Sequence, residues 1–282
     1  MMGKFYRVTS VAIVSGLSLG ETVMAETDAD PCALTPVFME EFDTLSVSRD
    51  RIGPARWTAH TPWWGDFGDA AFTDPGPDGP FSIQDGILKI KAWKDRDGRW
   101  RSGLLAGADR WGNGRGTQYG YFETRIQFPR GPGIWGAFWL MPLRTVGHYE
   151  TNIEIDVIEY YGHHPRGFQS VLHIHSPDPE LKRAEVKDIS VPKYALVEDF
   201  NTYGLDISPD WIVFLLNGEE VWRTPTPDEL DYKMYPLVNL ALGAGWPIDR
   251  TPDPSIMLVD YVRVYERGSA TTCAPGISHA VD

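Results

Sequence analysis

"TNIEIDVIEYYGHHP", residues 151–165, is the stretch on which the reading of the chain turns. Ile153, Ile155, Val157 and Ile158 lead into Tyr160 and Tyr161, a composition that suits a β-strand. Three acids, Glu154, Asp156 and Glu159, stand among them. In a regular strand Glu154 and Asp156 share a face while Glu159 points to the other. A β-bulge near Ile158 adds one residue without advancing the pleat and returns Glu159 to the face of the other two. The Cα atoms of Glu154 and Glu159 then lie about 13 Å apart, at roughly 3.3 Å per pleat position. Two glutamate side chains leaning together close most of that gap.

Three acids on one face cannot all ionise cheaply, so at least one proton is retained near neutral pH. Cleavage of a glycosidic bond uses such a set, with one protonated and one ionised carboxyl flanking the bond. In a retaining enzyme the two are about 5–5.5 Å apart. Glu154 and Glu159 are the candidate pair, and Asp156 can share a proton with its neighbour and orient it. An edge strand carrying solvated acids is the alternative. The flanking tyrosines and the apolar opposite face suit a central strand better.

Period-two segments recur along the rest of the chain. They are Ile87–Trp93, Tyr119–Phe128, Ile134–Met141, Phe168–Ile174, Tyr235–Leu242 and Ser255–Glu266. Trp211–Leu216 and Glu219–Thr224 flank Asn217-Gly218, a strong hairpin signal. Thr226–Tyr232 alone reads as a short helix. Many short strands punctuated by 28 Gly and 22 Pro predict an all-β sandwich or barrel. No repeat or low-complexity linker divides it, so residues 33–267 read as one domain, followed by a tail at 268–282.

Lys4 and Arg7 precede an apolar run, Val8–Leu19, and Val23-Met24-Ala25 follows. Residues 1–25 therefore read as a secretory signal peptide rather than a bilayer span, and the protein is expected to be secreted or periplasmic, with no membrane association after the leader is removed. The formal net charge is −13, which opposes nucleic-acid binding and makes a neutral ligand the default. Cys32 and Cys273 lie near the two ends of the mature chain. In an oxidising compartment they are expected to pair, two free thiols being the alternative.

"EIDVIE" (154–159) resembles the E-x-D-x-x-E signature of glycoside hydrolase family 16, in its β-bulge, laminarinase-like branch. The resemblance runs on through "MEEFDTL" (39–45), "GYFETRIQFP" (120–129), "GIWGAFWLMP" (133–142) and "VDYVRVYE" (259–266). It implies a β-jelly roll of two antiparallel sheets with a concave substrate cleft. It implies Glu154 as nucleophile, Asp156 as assisting acid and Glu159 as general acid/base. The expected protein is a monomeric endo-acting, retaining β-glycanase acting on β-1,3- or mixed-linked glucan. Exopolysaccharide processing, transglycosylation and a non-catalytic carbohydrate-binding jelly roll are the alternatives.

Trp135, Ala137 and Trp139 share one strand face, and two indoles flanking a small residue make a floor for sugar rings. Trp63, Trp64, Trp111 and Trp246 sit in Gly- or Pro-rich loops and are candidate cleft residues. Arg110 and Arg115 read as solvated surface. His173 and His175 share a face; His173 is expected to meet a sugar hydroxyl or a catalytic carboxylate, and a zinc site is the lesser reading. No cofactor is expected for catalysis. The family resemblance implies a structural Ca²⁺ near Glu41, Gly86 and Asp260, away from the cleft.

Overall fold

The computed structural model describes residues 33–147 and 151–268. The expected leader, Cys32, Cys273 and all but the first residue of the C-terminal tail lie outside the described residues. The chain begins with β1 (Leu34–Glu40), β2 (Val47–Ser48), β3 (Trp57–Thr58), β4 (Ala71–Phe72), β5 (Phe81–Gln84) and β6 (Ile87–Lys94). It continues through β7 (Trp100–Ser102), β8 (Leu104–Ala106), β9 (Gly120–Gln127), β10 (Ile134–Pro142), β11 (Asn152–Tyr161) and β12 (Gly167–His175). After β13 (Arg183–Ser190) and α1 (Ala195–Glu198) come β14 (Asn201–Ile207), β15 (Trp211–Leu216), β16 (Glu219–Pro225), β17 (Met234–Leu242) and β18 (Ser255–Arg267).

Two sheets result, as expected of a sandwich. One runs β16-β15-β14-β9-β18-β6-β7-β4, with β1 on β18 and β5 on β6. The other runs β13-β12-β11-β10-β17-β8-β3-β2. Phe122 and Ile126 of β9, with Val262 and Val264 of β18, meet Phe138, Ile155 and Leu240 of the second sheet in one buried core. Alternation explains the division: Tyr121, Glu123 and Arg125 of β9 point away from the core that Phe122 and Ile126 enter. Gly136 has no side chain because the Phe128 ring occupies the place of a Cβ, 2.6 Å from where one would stand. Asn217 and Gly218 both take positive φ, 51° and 81°, the backbone a two-residue hairpin turn requires.

The helix expected at Thr226–Tyr232 is absent; the segment is a turn. The helix is Ala195–Glu198 instead, a single turn whose Leu196 is buried. Pro225 and Pro227 stand at the start of the expected helix, Asp228, Glu229 and Asp231 follow them, and Leu230 alone of the segment is buried, so no apolar stripe is available to dock a helix.

The opening strand carries the bulge. Against β12, Asp156 faces Val171 and Glu159 faces Gln169, so β11 advances three residues while β12 advances two. Against β10, Asp156 faces Trp139 and Ile158 faces Phe138. The extra residue lies between Asp156 and Ile158, and both Val157 and Ile158 are buried. Deleting Ile158 leaves the three acids on one face of a regular strand and is expected to yield a cooperatively melting protein. Deleting Val157 and Ile158 together turns Glu159 toward the core, at a cost of about several kcal/mol for an uncompensated carboxylate. That variant is expected to lose its cooperative transition in thermal melts followed by circular dichroism.

Candidate active site

Rows across the second sheet assemble the site. Trp135 of β10 stands opposite Tyr161, Ala137 opposite Glu159, and Trp139 opposite Asp156. On the other side of β10, Ala137 faces Asn239 and Trp139 faces Leu237 of β17. Glu154, Asp156 and Glu159 all line one cleft of 270 Å³, with Trp63, Phe67, Trp135, Trp139 and Asn239. The three acids are thus on one face, as the bulge requires.

Each carboxyl has a different environment. Asp156 is only 4 % exposed; burial raises its pKa well above the ordinary 3.8, and the charges of Glu154 and Glu159 raise it further. Burial also raises Glu159, against the opposing hydrogen bonds from Trp135 and Tyr161, with the Glu154 charge adding to the rise. The Trp135 indole N–H donates to Glu159 Oε1 at 2.9 Å. Glu154 pairs with His175, whose Nε2 lies 2.8 Å from Oε2. His173 Nε2 lies 3.3 Å from Asp156 Oδ2, and burial lowers its pKa, with the Glu154 charge opposing and His175 adding to the fall. Burial and like charge raise the pKa values on the Asp156–Glu159 side while an imidazole faces Glu154, so the carboxyls stand in unlike surroundings.

Of the tryptophans expected in the cleft, Trp135, Trp139 and Trp63 line it. Trp246, half exposed, lies against His163 with ring centres 3.7 Å apart, in a second pocket lined also by Tyr161, whose ring stacks on the cleft residue Trp135. Trp64 stacks on His60 and lies under Arg49 of the loop before β3, so its ring is engaged away from the cleft. Trp111 is flanked by Arg51 and Arg110. His173 meets a carboxylate, as expected.

Two cleft residues, Phe67 and Asn239, were not singled out from the sequence, and His175, which meets Glu154, was noted only for the face it shares with His173. Phe67 packs on Trp135 and Trp139, with centroids 5.3 and 5.9 Å away; the rule that found Trp63 in the same Gly-rich loop reaches it as well. Asn239 is fully buried and accepts from the Trp139 N–H at 2.8 Å; its signal is a lone amide in the apolar run Leu237–Leu242.

Glu154, Asp156 and His173 offer ligand atoms within 4.8 Å of one another, a spacing a divalent cation accepts. Such an ion would occupy the oxygens that attack and proton sharing need. For the calcium expected elsewhere, the two carboxylates of the expected set are ion-paired within the chain. Both oxygens of Glu41 accept from Arg263 at 2.8 Å, and Asp260 accepts from Arg125 at 2.5 Å. Those carboxylates are already neutralised by guanidinium groups.

The model of the family described as Glycosyl hydrolases family 16 matches residues 112–263. An endo-1,3-1,4-β-glycanase, ExsH, of Rhizobium meliloti is 30 % identical over 84 % of this chain and 52 % of its own length. A β-glucanase of Rhodothermus marinus is 31 % identical over 52 % of this chain and 57 % of its own. The chain spans about half the length of the curated relatives it matches. Among solved structures, the laminarinase from Rhodothermus marinus superposes with a TM-score of 0.66 at 26 % identity, covering 83 % of this chain and 98 % of that one.

The raised carboxyls set the pH dependence of stability. Asp156 and Glu159 bind protons more readily folded than unfolded, so their contribution is fully present below the ordinary 3.8 and 4.5. It is lost as pH rises through the elevated values. The melting temperature is expected to fall across that window, and Asp156→Asn to flatten the fall. Melting curves of both proteins over a pH series check this.

Proposed function

The chain belongs to the glycosyl hydrolases family 16, and from that membership we propose that it is an endo-acting, retaining β-glycanase that cleaves β-1,3- or mixed-linked glucan. The observation that carries the reading is the bulge at Val157–Ile158. It brings two glutamates and a proton-holding aspartate to one face of an open cleft floored by tryptophan.

In this reading a sugar ring settles between Trp135 and Trp139, above the small Ala137. Glu154 attacks the anomeric carbon as Glu159 gives its proton to the departing oxygen. Water then attacks the glycosyl–Glu154 ester, with Glu159 taking the water's proton. Asp156 supports both steps by exchanging proton density with its two neighbours as their charges change. The imidazole of His175 orients Glu154, and the indole N–H of Trp135 orients Glu159. A purely sugar-binding sandwich has no use for a buried aspartate between two like charges, whose desolvation is costly.

Export fits the same reading: a polymer substrate lies outside the cell, and residues 1–25 have the composition of a leader. A Cys32–Cys273 disulfide would then close the ends of the mature chain.

Reducing ends released from laminarin and from lichenan test the proposal. Glu159→Gln is expected to lower turnover by about 10²–10⁴-fold, the usual share of general acid catalysis. Glu154→Gln is expected to leave no measurable double displacement, while both variants melt like the parent. Full activity in Glu154→Gln would end the assignment.

A further inference from the structure

The loop after β8 builds a feature that the catalytic reading does not use. Trp111 is 43 % exposed. The Arg51 guanidinium lies 4.3 Å from its ring centre and that of Arg110 lies 5.8 Å away. Both arginines are exposed, and among the described residues neither has an ion-pair partner. Asp50, next to Arg51 in sequence, makes no ion pair with it. In a chain of net charge −13, two adjacent guanidiniums without a carboxylate are an exception.

Their support is rigid. Asp109, 2 % exposed, accepts from the backbone N–H groups of Ile52, Trp111 and Asn113 at 3.2, 3.0 and 3.1 Å. One buried carboxylate thereby ties the loop carrying Arg51 to the loop carrying Arg110. Trp111 also bridges to Thr145, and the N–H of Val146 donates to the Arg110 carbonyl at 2.9 Å. A guanidinium resting on an indole is held by its face, so its in-plane N–H donors remain free. Two such forks gathered around one indole offer donors that suit the paired oxygens of an oxyanion.

The position is the rim of the cleft. Ala106 of β8 faces Leu237, which faces Trp139, which faces Asp156. Ala108 belongs to the same apolar cluster as Trp139 and Ala137, and Asp109, Arg110 and Trp111 follow it directly. Thr145 lies three residues beyond Pro142, where β10 leaves the cleft floor.

We infer that Arg51 and Arg110, braced on Trp111, form a receptor for an oxyanion, carboxylate or sulfate, carried by a sugar residue of the substrate. The preferred polymer is then an acidic β-glycan rather than a neutral one. The inference rests on the glycanase reading for its substrate, but its test has a readout of its own.

The full chain bearing Glu154→Gln is run in native gels containing laminarin, carboxymethyl-laminarin or laminarin sulfate. Retardation is measured against a polymer-free gel. Bulk charge alone repels this chain from both anionic polymers, whereas the receptor predicts stronger retardation by at least one of them, and which one identifies the group. Arg51→Gln and Arg110→Gln are each expected to weaken that retardation about two- to fivefold, the usual range for an exposed charge pair. Retardation by laminarin itself should not change. Added salt should erase the preference as the screening length falls from about 10 Å at 0.1 M to about 3 Å at 1 M. Arg99→Gln, which removes a charge on a distant loop, should have no effect.

Equal retardation by neutral and anionic polymers, or an effect of Arg99→Gln as large as the other two, overturns the receptor. Arginine-dependent retardation in a protein whose parent hydrolyses none of the three polymers overturns the glycanase reading and leaves the receptor standing.

Discussion

The one-residue bulge between Asp156 and Ile158 is the constraint on which the site depends. β11 lies between β10 and β12, and both neighbours record the same extra residue. A bulge leaves a residue out of the ladder, and here that cost is offset by burial. Val157 and Ile158, which would point to opposite faces of a regular strand, are both buried. The ladder then resumes with Ala137 beside Glu159 and Trp135 beside Tyr161. A methyl group next to the candidate acid leaves space for a ring, and an indole one pair further along supplies both a wall and a hydrogen bond.

Because the acids lie on a central strand, their geometry is set by the ladder rather than by loop conformation. Such placement holds reacting groups without reorganisation. It also forces three like charges together, and the surroundings differentiate them. Asp156 is sealed, and burial raises its pKa; Glu159 is held by an indole and a phenol; Glu154 faces an imidazole. The rises at Asp156 and Glu159 come from burial first, with neighbouring charge adding to them.

The cleft has its own apolar foundation. Phe67, from the loop before β4, and Phe72 of β4 pack with Trp135, Trp139, Leu237 and Leu104 on the face of the sheet opposite the main core. All nine residues of β17 are buried for this reason, since that strand is covered on both faces. Within the cluster, the bond from Trp139 to Asn239 fixes an indole that would otherwise be free to turn. At the rim the character changes from apolar to cationic, against the sign of the whole chain.

Alternation was enough to place the long strands, because a side-chain period of two is a local property of the backbone. Ile134–Met141, Tyr235–Leu242 and Trp211–Leu216 were legible in this way, and so was the bulge, since Glu159 had the wrong parity in an otherwise consistent face. The candidate acids were picked out by that inconsistency together with the family signature. The sequence did not reveal the strand at Arg183–Ser190, whose residues are almost all exposed and so carry no alternation. Nor did it separate the tryptophans: Trp63 and Trp64 are adjacent in one loop, yet one lines the cleft and the other is held between His60 and Arg49. That division depends on groups distant in sequence. The same holds for Phe67 against Trp135 and for Arg51 beside Arg110. Pattern along the chain determines which way a side chain faces; only the packing of strands and loops far apart in sequence decides what it meets there.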